Sequence, residues 1–204
     1  MSHRTIDFEK GDGLVPAIVQ DADTSRVLMM GYMNQEALER TRQTGMVTFF
    51  SRSRSKLWTK GETSGNYLEL VDLAVDCDGD TLLVAARPHG PTCHTGTDSC
   101  FDLEPDRGWR TLPEAVGGLT RVIQGHKDAA QEGSVTAVLL RGGVDLLARE
   151  VGEGALEIAR AAKSGEREAL AQEMADLLYR TLLLLAALGI SSEQMASELE
   201  GKRK

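Results

Sequence analysis

The densest chemistry in this chain lies between residues 76 and 100. "DCDGD" alternates Asp76, Asp78 and Asp80 with Cys77 and Gly79, and "GPTCHTGTDSC" follows with Cys93, His94 and Cys100. Like charges at the aspartate spacing repel unless something positive sits among them. Carboxylate oxygens are hard ligands of the kind Mg2+ takes, whereas a thiolate suits the softer zinc. Asp78-Gly79 is a hairpin signal between two strand-like runs. Near such a turn, side chains at i and i+2 share a face and i+1 points away. Strand alternation therefore predicts Asp76 and Asp78 on one side and Cys77 on the other, so that one segment could serve two cations. The cysteines are spaced C-x15-C-x6-C, which is not a zinc-finger spacing. Three thiolates leave the fourth tetrahedral position open, as a catalytic zinc requires. His94, next to Cys93, is a candidate proton shuttle. Spacing alone leaves a second reading: three cysteines buried as small hydrophobes and a solvated acidic turn.

Two further groups of residues could take part in chemistry. "SRSRSKLWTKGETSGNY", residues 51 to 67, concentrates Arg52, Arg54, Lys56 and Lys60 in an otherwise acidic chain. Its Glu62, Ser64, Gly65 and Asn66 supply backbone amides and small polar groups of the kind that cradle phosphates. A solvated basic hairpin reads the same way, and Trp58 fits either a core position or a base-stacking platform. Further on, Glu150, Glu153 and Glu157 form a stripe off the apolar face of one helical segment, and Glu173 and Asp176 are i and i+3 on another. If those helices pack antiparallel, Glu153, Glu157, Glu173 and Asp176 can face one another and hold Mg2+ with a pyrophosphate group. The alternative is a pair of solvated acidic faces.

The elements that must position these groups differ between the two halves. "LVPAIV", "RVLMMGYM", "MVTFFS", "YLELVDLAV" and "TLLVAAR" read as strands, interrupted by a helix over "QEALERTRQT" that Asn34 caps at its start and Gly45 at its end. Beyond Leu112 the chain carries helical periodicity throughout, in "LPEAVGGLTRVIQGHKDAA", "VTAVLLRGGVDLLAREVGEGALEIARAAK", "REALAQEMADLLYRTLLLLAALG" and "SSEQMASELEGKRK". The expected fold class is an α+β domain with an antiparallel-rich sheet over residues 1–106, followed by an all-α bundle over 107–204. The Pro- and Gly-containing "EPDRGWRTLP" marks the break.

Bulk properties narrow the function classes. The 204 residues carry a net charge of −8, which argues against non-specific binding to nucleic acid or an anionic membrane. The charged "MSHRTIDFEKGDG" is not a signal peptide, and the apolar run Leu182–Ile190 is too short to span a bilayer. Three cysteines do not make a disulfide framework. The expectation is a cytoplasmic enzyme without nucleic-acid or membrane partners.

"SRSRSKLWTKGETSGN", "DCDGDTLLV" and "GPTCHTGTDSCF" resemble, in order and spacing, the signature stretches of phosphoribosyl-AMP cyclohydrolase, over roughly residues 8 to 104. That family opens the purine ring of its nucleotide with water in histidine biosynthesis. The resemblance implies zinc on Cys77, Cys93 and Cys100, magnesium on Asp76, Asp78 and Asp80, and a homodimer whose zinc ligands come from both chains. "REVGEGALEIARAAKSG" and "EMADLLYRTLLLLAALGI" are similar to phosphoribosyl-ATP pyrophosphatase, roughly over residues 112 to 200, a family with E-E-x-x-E and E-x-x-D helical motifs. Fusion in this order is a known bifunctional arrangement, and phosphoribosyl nucleotides are then the substrates. The chain departs from the second pattern: Gly154 stands where the second paired glutamate falls, Glu150 where a lysine is usual, Val135 where an aromatic is usual, and Arg180 where a histidine follows "LLY". A Gly154→Glu change is expected to restore a metal ligand. Two rivals are a cyclohydrolase with a degenerate helical domain kept for assembly, and a non-enzymatic zinc module with a dimerising bundle.

Overall fold

The computed structural model describes residues 4–101, 111–128 and 134–202. It divides into two compact units, Met1–Val116 and Gly117–Lys204. The expected boundary between residues 106 and 107 lies outside the described residues. Strand-rich sheets come first and helices follow, the α+β and all-α order that the hydrophobic patterning predicts.

In the first unit, β1 (Val15–Asp21), β2 (Val27–Met33), β5 (Leu68–Val75) and β6 (Leu82–Pro88) form a four-stranded sheet in the order β2-β1-β6-β5. The β1–β2 and β5–β6 pairs are antiparallel hairpin neighbours, and the central β1–β6 pair is parallel. Strand β1 alternates buried and more open positions, with Val15, Ala17 and Val19 in the core, the period of two that a half-buried strand requires. A separate ribbon pairs β3 (Thr48–Ser51) with β4 (Lys56–Thr59). Strand β4 falls inside the basic stretch "SRSRSKLWTKGETSGNY", which on sequence alone lacks a strand's apolar content.

Helix α1 (Gln35–Thr44) joins β2 to β3 as its caps predict. Asn34 Oδ1 accepts from the Ala37 amide at 2.8 Å, and Gly45 ends the helix at φ 70°. Thr41, fully buried, donates to the Ala37 carbonyl and accepts from the Thr48 amide, both at 2.9 Å, so the helix is stitched to β3. Phe49 on β3 lies over Gly31 on β2; a Cβ at Gly31 would collide with its ring.

The remaining helices are α2 (Leu112–Asp128), α3 (Val135–Arg141), α4 (Gly143–Ser164), α5 (Arg167–Leu188) and α6 (Ser192–Gly201). The periodicity over residues 135–163 reads as one segment, but the chain breaks it at Gly142-Gly143, where Gly143 takes φ 78°. That left-handed conformation disfavours residues with a Cβ. Helices α4 and α5 are antiparallel-compatible neighbours joined across Gly165, which sits at φ 76°. Thr136 and Tyr179 share a 2.8 Å hydroxyl–hydroxyl hydrogen bond between α3 and α5. Leu147, Leu182 and Leu183 are buried in this unit. Helix α6 starts with a reciprocal capping box between Ser191 and Gln194. Among the described residues no single helix is long and apolar enough to cross a membrane.

Candidate active site

The β5–β6 hairpin carries the aspartates in its turn, and Asp76 builds that turn. Its Oδ1 accepts from the amides of Gly79, Asp80 and Thr81 at 3.0, 3.0 and 3.1 Å. Gly79 supplies φ 82° there. Desolvation pushes the Asp76 carboxyl upward, but the amides of Thr81, Asp80 and Gly79, with the Asp78 side chain, outweigh it and hold the group below its ordinary range. Asp76 is therefore ionised without a cation present.

Oxygens of Asp76, Asp78 and Asp80 lie within 4.8 Å of one another. Octahedral magnesium at about 2.0–2.1 Å from its ligands sets neighbouring oxygens about 3 Å apart and opposing ones about 4 Å, so closure of up to about 2 Å would complete contact. The residues fit a divalent ion. One of the three already has a positive partner: Lys10 Nζ is 3.6 Å from Asp78 Oδ2 and also donates to the Asp78 carbonyl. Asp7 donates its amide to the Gly79 carbonyl at 2.6 Å, so the amino-terminal segment braces the turn. Nothing in the sequence near "DCDGD" signals this brace, because Lys10 is 68 residues away.

Strand alternation does not carry through the turn as expected. Cys77 is exposed, and its sulfur lies 3.8 Å from Asp78 Oδ1 rather than wholly on the opposite side. Residues 76–81 are turn rather than strand, so the two-residue period is lost there.

Cys93 and Cys100 come together in a loop pinned to β2. Ser99, 1% exposed, donates to the Val27 carbonyl at 2.8 Å, and the Cys100 amide donates to the Leu28 carbonyl at 2.7 Å. A tight reversal closes on Cys93, whose amide donates to the Thr97 carbonyl at 2.9 Å. Thr95 Oγ1 donates to the Cys93 sulfur at 3.1 Å. That hydroxyl and the Thr95 amide, with lesser help from the Thr97 and Cys100 side chains, outweigh partial desolvation and pull the Cys93 thiol down to about 6. Cys100 moves the other way: partial desolvation and the adjacent Cys93 sulfur push it up, and Lys60 opposes them. The pair thus holds one thiolate with a neighbouring thiol, a donor set that suits a soft metal. Sequence reasoning missed Ser99 and Thr95; the hydroxyls flanking the cysteines in "CHTGTDSC" were the available signal.

His94 is exposed, with Nδ1 3.8 Å from the Cys93 sulfur. Among the described residues the aspartate triplet is the one cluster of three or more His, Cys, Asp or Glu side chains that could close on an ion, so Cys77 does not join Cys93 and Cys100 within one chain.

The basic stretch divides into two parts. Arg52 and Arg54 are exposed at the β3–β4 turn, with the Arg52 guanidinium 3.9 Å from the centroid of the Tyr32 ring. Trp58 packs on the core with its ring centroid 5.0 Å from that of Phe49. Lys60 through Asn66 form a compact loop in which the Gly65 amide donates to the Gly61 carbonyl at 2.8 Å, Glu62 accepts from the Thr59 amide at 3.1 Å, and Ser64 accepts from the Asn66 amide at 3.3 Å. Gly61, at φ 91°, leaves no room for a Cβ, which would lie 2.5 Å from the Tyr67 nitrogen.

Two of the helical carboxylates, Glu153 and Glu157, lie against arginines. Glu153 is exposed and lies 3.9 Å from Arg149, one turn before it. Glu157 is 3.2 Å from Arg180 Nη1, which also donates to the Glu150 carbonyl at 3.1 Å. Glu173 is half-buried and Asp176 exposed. The structure does not gather Glu153, Glu157, Glu173 and Asp176 into one metal-sized cluster.

Comparison with known proteins gives two adjoining matches. The family described as phosphoribosyl-AMP cyclohydrolase matches residues 29–102, and phosphoribosyl-ATP pyrophosphohydrolase matches residues 116–203. A "Histidine biosynthesis bifunctional protein HisIE" from Vibrio vulnificus is 49% identical over 199 residues, spanning 98% of this chain and 93% of the relative. Proteins of the same name from Xanthomonas axonopodis pv. citri and Photobacterium profundum are each 48% identical, over 98% and 96% of this chain and 94% and 95% of their own lengths.

Proposed function

The chain belongs to the family of bifunctional histidine-biosynthesis proteins that join a phosphoribosyl-AMP cyclohydrolase to a phosphoribosyl-ATP pyrophosphohydrolase, and from that premise we propose how its residues divide the work. It is a hydrolase with two activities: the carboxyl-terminal half converts phosphoribosyl-ATP to phosphoribosyl-AMP and pyrophosphate, and the amino-terminal half opens the purine ring of the product with water. Membership favours this reading over a degenerate helical domain or a non-enzymatic zinc module. We place the division at residues 106 and 107, and the protein in the cytoplasm without nucleic-acid or membrane partners.

For ring opening, we assign zinc to Cys77, Cys93 and Cys100, and magnesium to Asp76, Asp78 and Asp80. Zinc, when bound, supplies the Lewis acidity that makes water nucleophilic at neutral pH. His94, exposed beside Cys93, takes the proton of the attacking water and returns it to the ring nitrogen that leaves. Arg52, Arg54 and Lys60 offer the positive charge that a phosphoribosyl nucleotide needs on a chain of net charge −8. Glu62, Ser64, Gly65 and Asn66 offer polar contacts around it, and Trp58 stiffens their loop from the core side. For pyrophosphate release, Glu153, Glu157, Glu173 and Asp176 are the proposed magnesium-facing carboxylates.

The separation of Cys77 from the Cys93–Cys100 pair carries the proposal of a homodimer. A zinc site that one chain leaves incomplete is completed by the same residue of a second copy, as a two-fold interface supplies it. Assays of the purified protein on phosphoribosyl-ATP and phosphoribosyl-AMP separately, with zinc and magnesium varied, test both halves. Ring opening that persists after complete removal of zinc and magnesium would overturn the metal assignment.

A further inference from the structure

Gly154 and Arg180 occupy one another's space. Gly154 is the buried glycine on the α5-facing side of α4. A Cβ there would lie 3.1 Å from Arg180 Nη1, 3.3 Å from Leu177 Cδ1 and 3.6 Å from Arg180 Cδ. The guanidinium that uses this gap reaches across from α5 to two acceptors on α4, the Glu150 carbonyl at 3.1 Å and the Glu157 carboxylate at 3.2 Å. The arginine side chain is only 22% exposed and Glu157 40%, so solvent screens the pair less than it would a surface pair. A carboxylate proposed to face magnesium is therefore already neutralised by a fixed cation, and the residue that would have crowded that cation is a glycine.

We propose that Arg180 is a positioning residue that serves as the resident counter-cation of the Glu157 carboxylate on α4, occupying through the Gly154 gap the place where a divalent ion would otherwise contact Glu157. The proposal rests on the reading of these helices as the pyrophosphohydrolase site. Arg180 fixes the Glu157 carboxylate and brings positive charge to the α4–α5 groove whether or not metal is present. Divalent ions then bind more weakly to this half, because a like charge within about 4–6 Å opposes them as it opposes a proton. The expectation that Gly154→Glu by itself adds a metal ligand changes accordingly. The new carboxylate would meet Arg180 first and pair with it.

The test is a Mn2+ titration of zinc-loaded full-length protein, followed by the electron paramagnetic resonance signal of free Mn2+. Wild type is compared with Arg180→Met, which keeps an apolar stem, and Arg180→Lys, which keeps the charge. The amino-terminal sites are the same in all three, so differences report the helical half. Arg180→Met should bind Mn2+ about tenfold more tightly at this site, or more, and Arg180→Lys should restore the wild-type titration. Gly154→Ala should shift the titration in wild type and leave it unchanged in the Arg180→Met background, as coupled neighbours require. Identical titrations of wild type and Arg180→Met, or equal shifts for Met and Lys, would overturn the proposal. If Arg180→Met does not fold by circular dichroism, Arg180→Gln serves the same comparison. Pyrophosphate release by wild type is measured in parallel, and its absence at every Mg2+ concentration would overturn the functional reading while the titration still decides the role of Arg180.

Discussion

A thiol with an ordinary pKa is mostly protonated at neutral pH, and Cys93 escapes that condition chiefly through the hydroxyl and amide of Thr95. Thr95 Oγ1, 3.1 Å from the sulfur, is the largest cause of its downward shift. His94 is one residue nearer in sequence, but it is exposed and its Nδ1 stands 3.8 Å from the sulfur. The two neighbours should fail differently. Thr95→Val removes a partner that holds the ligand, so zinc affinity should fall about 10–100-fold, read by competition with a chelating dye. His94→Ala should retain stoichiometric zinc and slow ring opening by roughly 10² to 10⁴. Zinc loss in His94→Ala, or unchanged affinity in Thr95→Val, would reverse these roles. At this scale the sequence was informative where chemistry is dense: the aspartates, the cysteines and His94 announce themselves by type and spacing. Lys10, Ser99 and Arg180 do not, because each acts on a partner brought near only by folding.

Elements were legible where local signals close on themselves. Helix α1 has its cap, its periodicity and its terminating glycine within a dozen residues, and it forms over Gln35–Thr44. Strand β4 was hidden because its edge ribbon needs few apolar residues: Leu57 and Trp58 pack on the core while Lys56 faces solvent. The parallel β1–β6 pairing was also hidden, since no local pattern names a partner on the far side of the intervening strands. Gly31 shows how such distant pairings constrain single residues. Its missing side chain admits the buried Phe49 ring, into which a Cβ would run. Gly31→Ala should therefore destabilise the first unit by about 1–3 kcal/mol through overpacking, measured by urea denaturation. An unchanged urea midpoint would show that the ring can move aside freely.

At the scale of the whole molecule, the fold class followed from periodicity and the order of the two activities from the family resemblance of the motifs in each half, while the gathering of Cys77 with Cys93 and Cys100 did not follow from one chain. If the ligands are shared across a two-fold axis, two defective chains can repair each other. Mixing Cys77→Ser and Cys93→Ser proteins under conditions of subunit exchange should recover about a quarter of wild-type ring opening, since about half the dimers are mixed and each holds one intact site of two. No recovery after verified exchange would place the whole site within one chain. The brace formed by the amino-terminal segment has a practical reach as well. Asp7 and Lys10 hold a turn at Asp78-Gly79, 68 residues beyond Lys10. Proteolytic nicking or engineered shortening ahead of Leu14 would therefore act as a remote lesion, leaving every proposed ligand in place while loosening the frame that presents Asp78.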